Sequence, residues 1–115
     1  MKGRTMSDLK MPQINTLVLT GRLARDPELK YTQSGTATIK TSLAVDEGFG
    51  DKRRTIWVIL QIWGKYAETM HPHLYKGAPI HAEGRLDVYE WETQEGEKRV
   101  EVVIVANRVQ VLEWR

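Results

Sequence analysis

The side chains of this chain best suited to chemistry are aromatic and basic rather than nucleophilic. Trp57 and Trp63 stand in Thr55–Trp63, the most apolar and β-prone stretch of the sequence. In a strand they share one face, roughly 20 Å apart at about 3.3 Å per residue, while Ile56, Val58, Leu60 and Ile62 take the other. Two tryptophans opposite an aliphatic face suit stacking against nucleobases. The pattern equally suits a strand buried on both sides, because Ile59 shares the tryptophan face, and spacing does not decide between the two. Further on, a hairpin predicted over Arg85–Arg99 puts Arg85, Asp87, Tyr89 and Trp91 on one parity, with the two aromatics near its tip. They are either ligand contacts or ordinary cross-strand pairs. Phe49 beside Lys52-Arg53-Arg54, in the loop Asp46–Arg54, forms a third aromatic and basic group, although three bases in a row also suit a plain solvated loop.

No catalytic constellation accompanies them. His71-Pro72-His73 and His81 could suggest a metal, but the proline disrupts helical i,i+4 geometry and no carboxylate stands at a helpful spacing. Glu83, Asp87, Glu90 and Glu92 form no convincing acid–base pair, and no serine is in a nucleophile context. Hydrolase motifs and phosphate-cradling glycine loops are absent. The expectation is a binding protein, not an enzyme, with no catalytic residues, no metal and no cofactor.

The elements that would position these residues read as strands. At 115 residues the chain is the size of one domain, and 41% hydrophobic residues suffice for a packed interior. It has no cysteine, which excludes disulfides and cysteine-ligated metals and suits a reducing interior. No apolar run reaches the length of a membrane span or a signal-peptide core, so a soluble protein kept inside the cell is expected. A net charge of +2 does not by itself announce nucleic acid. Residues 1–13 lack periodicity and read as a flexible arm before a domain over 14–115. Leu17, Leu19 and Leu23 share a parity in a first strand, with Gly21 as a bulge candidate. Asp26-Pro27-Glu28 reads as a turn, and Thr36–Val45 alternates with Thr38, Lys40 and Ser42 outward. Thr55–Trp63 follows, then a short or irregular helix over Lys65–Leu74 containing Pro72. Ile80–Trp91, Lys98–Ala106 and Val109–Leu112 complete an all-β pattern of five or more strands with one helix between the third and fourth, which argues for a small barrel.

Several runs then converge on one family. Val18-Leu19-Thr20-Gly21-Arg22-Leu23-Ala24-Arg25-Asp26-Pro27-Glu28-Leu29-Lys30-Tyr31-Thr32 closely resembles the opening of bacterial single-stranded DNA-binding proteins. Ser42-Leu43-Ala44-Val45, Thr55-Ile56-Trp57, Trp63-Gly64-Lys65-Tyr66-Ala67-Glu68, Lys76-Gly77, Glu83-Gly84-Arg85-Leu86 and Trp91…Gly96…Arg99 follow in the family's order, from about Ile14 to Leu112. The resemblance implies an OB-fold five-stranded β-barrel with an extended hairpin, assembled as a homotetramer (a dimer of dimers). It implies single-stranded DNA as partner, bound without marked sequence preference and protected during replication, recombination and repair in the bacterial nucleoid. Stacking positions of the family match Phe49, Trp57, Trp63 and Trp91; backbone-contacting bases match Lys30, Lys65, Lys76 and Arg99; Arg53 and Tyr89 join them from the loop and hairpin readings, and Tyr31 matches a packing position.

The chain also departs from its relatives. Val58-Ile59 replaces a frequent His-Arg, Asp87 and Glu90 replace basic residues, and the loop Asp46–Arg54 is shorter than in many of them. The sequence ends at Trp114-Arg115, so the acidic C-terminal tail is expected to be missing and tail-mediated protein partners with it. These departures keep an OB-fold primosomal or accessory protein, working through protein contacts, as the alternative. An OB-fold nuclease has no carboxylate or metal pattern behind it.

Overall fold

A computed structural model of the protein describes residues 10–113. The elements are β1 (Leu17–Leu23), β2 (Leu29–Tyr31), β3 (Ala37–Glu47), β4 (Arg54–Trp63), α1 (Gly64–Met70), β5 (Pro79–Glu92) and β6 (Lys98–Val111). A turn of 3-10 helix over His71–His73 carries Pro72 in its first positions, where a missing N–H costs nothing, and so α1 stays short.

Strand alternation turns directly into a barrel. β3 and β4 pair antiparallel from Thr38↔Trp63 to Glu47↔Arg54, which turns Ile39, Leu43, Leu60 and Ile62 inward and leaves Lys40 and both tryptophans outside. β1 bonds to β5 along Leu17–Arg22, and β5 to β6 along the whole hairpin. Two short contacts close the ring: β1 meets β3 at Arg22↔Ala44 and Leu23↔Leu43, and β4 meets β6 in parallel at Leu60↔Ile104 and Gln61↔Val105. The result is a closed five-stranded mixed barrel of β1, β3, β4, β5 and β6. Its core includes Leu23, Ile39, Leu43, Leu60, Ile62, Ile80 and Ile104, with Ala67 of α1 and Leu74 against it. The helix lies between the third and fourth strands of that ring, as the sequence suggests.

The extra strand β2 was not anticipated. Leu29, Lys30 and Tyr31 pair with Ile39, Thr38 and Ala37, continuing the sheet beyond β3 after the Asp26-Pro27 turn. Tyr31, expected to pack, is exposed instead, its hydroxyl 3.4 Å from Glu68 Oε2. Gly21 is no bulge either. β1 keeps its register with β5 through Gly21, and a Cβ there would stand 2.5 Å from the carbonyl oxygen of Ala44, so the position needs glycine for the close approach of β1 and β3. The slip in register falls between Glu83 and Gly84, opposite Arg108 and Ala106, which makes β6 one continuous strand with a bulge at Asn107.

Beyond that bulge the hairpin outgrows the barrel. Leu86, Val88, Val100 and Val102 keep the inward parity but have no core left to enter and are exposed. At its root, Asn15 donates from Nδ2 to the carbonyl of Leu86 and accepts from the Leu86 N–H, both at 2.8 Å. At the other end of the barrel, Tyr66 ties α1 to β6: its hydroxyl accepts from the N–H of Val109 at 2.7 Å and donates to the Val109 carbonyl at 3.3 Å. Most of the expected arm (residues 1–9) and the terminal Trp114-Arg115 lie outside the described residues; residues 10–16 carry no strand.

Candidate nucleic-acid interface

The outer face of β3 and β4 is built from residues of one parity. Trp63, Gln61, Ile59 and Trp57 of β4 face the same way as their cross-strand partners Thr38, Lys40, Ser42 and Ala44. Trp57 is 64% exposed and Trp63 40%. Within the described chain, therefore, neither tryptophan is buried on this face.

The hairpin meets this face at Lys40. Tyr89 and Trp91 sit side by side with ring centroids 5.5 Å apart and planes tilted by 33°, as their shared parity predicts. The ammonium of Lys40 lies 4.4 Å from the Tyr89 centroid and 5.8 Å from that of Trp91, within cation–π range of both. Glu101 of β6 pairs with the same ammonium; its Oε1 has no hydrogen-bond donor in good geometry and is held by charge. Between hairpin, barrel and the β1–β2 turn runs a groove of about 580 Å³, lined among others by Trp63, Tyr89, Gln61, Lys40, Arg25 and Lys30.

The anticipated residues thus divide. Trp63, Tyr89 and Lys30 line one groove, and Trp91 adjoins it through Tyr89. Trp57 lies further along β4 on the same face, and Phe49, 92% exposed, caps the β3–β4 loop. Lys65 is the second residue of α1, which starts directly after Trp63, and Lys76 precedes β5, its backbone N–H donating to Asp26 Oδ1 at 2.7 Å. Arg99 stands opposite Trp91. Three of the five basic candidates already hold a carboxylate: Lys30 with Glu28 at 3.6 Å, Arg53 with Asp46 at 3.3 Å and Arg99 with Glu97 at 2.8 Å. Lys65 and Lys76 make no ion pair among the described residues.

Two carboxyls near the candidate residues, Asp46 and Asp87, are held below the ordinary value. Thr55 and Arg53 donate to Asp46, which lowers its carboxyl below the ordinary value. The backbone N–H of Val88, with Arg85, does the same for Asp87. Lys40, Gln61, Thr38 and Arg25 were not singled out in sequence as site residues. Outward parity at Thr38 and Lys40 and the tryptophan-side parity of Gln61 were the available signals, but only the folded hairpin shows that a groove forms over them.

No group of three or more His, Asp or Glu among the described residues is placed to hold a metal. His71 is engaged with the carbonyl of Pro27 at 3.0 Å and His81 faces Glu83. No described helix is long and apolar enough to cross a membrane.

A closed five-stranded mixed barrel, with its helix between the third and fourth ring strands and an aromatic groove on its outer wall, is an OB-fold. The single-strand binding protein family matches residues 14–112, nearly the whole chain. This chain belongs to that family, one of binding proteins and not of enzymes. The "Single-stranded DNA-binding protein" of Clostridium tetani is 38% identical over 104 residues, spanning 88% of this chain and 72% of the relative. A protein of the same description from Thermotoga maritima is 37% identical over 108 residues, covering 90% and 77% of the two chains. One from Enterococcus faecalis is 37% identical over 105 residues, covering 89% and 56%.

Proposed function

We propose that this protein binds single-stranded DNA by stacking bases on its outer aromatics, without marked sequence preference, and protects it during replication, recombination and repair. The observation that carries the reading is the groove between Trp63 and Tyr89, where two partly exposed aromatic rings line one wall with Lys40. The aromatic area left open to solvent gains nothing from folding, whereas base–aromatic stacking contributes about 1–3 kcal/mol per base. Phe49, Trp57 and Trp91 extend the path, and Lys30, Lys65, Lys76, Arg53 and Arg99 supply charge along the backbone. Residues 14–115 form the binding domain and residues 1–13 an arm before it, in the bacterial nucleoid.

Assembly belongs to the same reading, as a homotetramer built from two dimers. β1 pairs with β3 only at Arg22 and Leu23, so Leu17–Thr20 offer an open edge to a second copy. The exposed Leu86, Val88, Val100 and Val102 offer apolar area for further contact.

Titration of tryptophan fluorescence with oligo-dT tests the ligand. Strong quenching is expected, and no response at micromolar concentration sinks this reading in favour of an accessory protein acting through protein contacts. Light scattering on the same sample tests assembly, and a stable monomer rules the tetramer out.

A further inference from the structure

Gln61 is a polar side chain out of place. It is 5% exposed, although Trp57 and Trp63 on the same face stand open. A primary amide carries two N–H donors and two acceptor lone pairs. Among the described residues Gln61 uses one of these, in a long 3.5 Å bond from Nε2 to Thr38 Oγ1. The rest of its amide lies at the wall of a groove, where a bound ligand can take the place of water on it. Gln61 and Thr38 both line the groove between Trp63 and Tyr89; so does Thr41, whose buried Oγ1 has no hydrogen-bond partner among the described residues. Lys40, directly cross-strand from Gln61, adds an ammonium with three N–H groups to the same wall.

We propose that Gln61 reads the edge of a pyrimidine base stacked in this groove, so that one subsite of the bound strand prefers thymine or cytosine to a purine. The inference rests on the strand-binding reading above and adds selectivity to it. With one N–H given to Thr38, the wall offers the other N–H, a Lys40 N–H and the Gln61 Oε1, which makes two donors and one acceptor. Pyrimidine pairing edges are the complement: thymine presents O2, O4 and the N3–H, and cytosine presents O2, N3 and an N4–H. Guanine presents one acceptor and two donors, and adenine one of each. Stacking on Phe49, Trp57 and Trp91 is indifferent to base, so binding as a whole stays sequence-tolerant while this position discriminates.

The experiment uses the full chain and an oligo-dT cut to the measured site length, so that the strand cannot shift register. Each thymine in turn is replaced by difluorotoluene, which stacks like thymine but forms no hydrogen bonds, or by adenine. Wild-type affinity is expected to fall about fivefold at one position, the size of one net hydrogen bond. Gln61→Met, which keeps the length and loses the amide, should remove that penalty; Thr38→Val, which frees the amide from its anchor, should reduce it and serves if the first variant does not fold. Stacking within the free strand is common to all the proteins and cancels in the comparison. A wild type that binds oligo-dT but tolerates both replacements everywhere overturns the inference, as do variants that keep the full penalty. A wild type that binds no strand at all removes the strand-binding reading, and this inference with it.

Discussion

Neutralising three carboxylates should make binding much more sensitive to salt. Lys30, Arg53 and Arg99 each carry a partner acid within 3.6 Å, and all six side chains are at least half exposed. A base that approaches a phosphate with its carboxylate beside it brings no net charge, so few of the strand's condensed counterions are released. At about −0.7 in the slope of log affinity against log salt per neutralised phosphate, the two unpaired candidates, Lys65 and Lys76, give about −1.4 per protomer. Changing Glu28→Gln, Asp46→Asn and Glu97→Gln together frees three more and carries the slope towards about −3.5. Over a tenfold rise in salt, wild-type affinity should then fall roughly 25-fold and that of the triple variant roughly 3000-fold. Tryptophan quenching by oligo-dT, titrated at four or five salt concentrations, measures both. Exposed pairs contribute little to folding, so the variant should keep its melting temperature closely. A wild-type slope already near −3.5, or equal slopes in the two proteins, would refute the idea that these bases are masked by their own acids.

Two further outcomes are expected. Trp57→Ala should weaken strand binding by about 1–3 kcal/mol, whereas Leu43→Ala, at a fully buried position, should lower stability by about 2–5 kcal/mol through lost burial and a cavity; a Trp57→Ala protein that melts as early as Leu43→Ala places that ring in a core or an interface. The Asp46 carboxyl, lowered chiefly by its bonds from Thr55 and Arg53, should titrate below the ordinary 3.8 when followed by carbon NMR. Because its folded value is the depressed one, its stabilisation is present above about pH 4 and lost as pH falls through the folded value, and a midpoint at or above 3.8 contradicts those bonds.

Much of the barrel was legible because period-two alternation survives wherever one face is buried. Ile39 and Leu43, or Leu60 and Ile62, show their direction in sequence without help from distant residues. The pairing of Tyr89 with Trp91 was legible from their shared parity alone. β2 was not, because three residues are too few to alternate, and Asp26-Pro27 dominates the local signal. Gly21 was misread because a glycine in a strand serves a bulge and a close approach equally well, and only the position of the Ala44 carbonyl distinguishes them. At the candidate site the aromatics declared themselves by type. Lys40 and Gln61 did not, since their importance comes from a hairpin some fifty and thirty residues away in sequence folding back towards them.

The bonds at the root of that hairpin bear on how the protein avoids clumping. Past Gly84, β5 loses its neighbour β1 and would present bare main-chain donors along an apolar ribbon, the kind of edge on which foreign strands add and fibres grow. Two short side chains deny them a foothold. Asn15 occupies both main-chain groups of Leu86 as a strand would, and the Asp87 carboxylate takes the next donor on that edge, the N–H of Val88, at 2.7 Å. The second plug depends on charge, and the same bond that makes it keeps Asp87 ionised into mild acid. Concentrated protein should therefore stay dispersed until the pH drops through the lowered carboxyl value. Asn15→Ala should shorten that range and seed sheet-rich aggregates while the barrel itself is still folded.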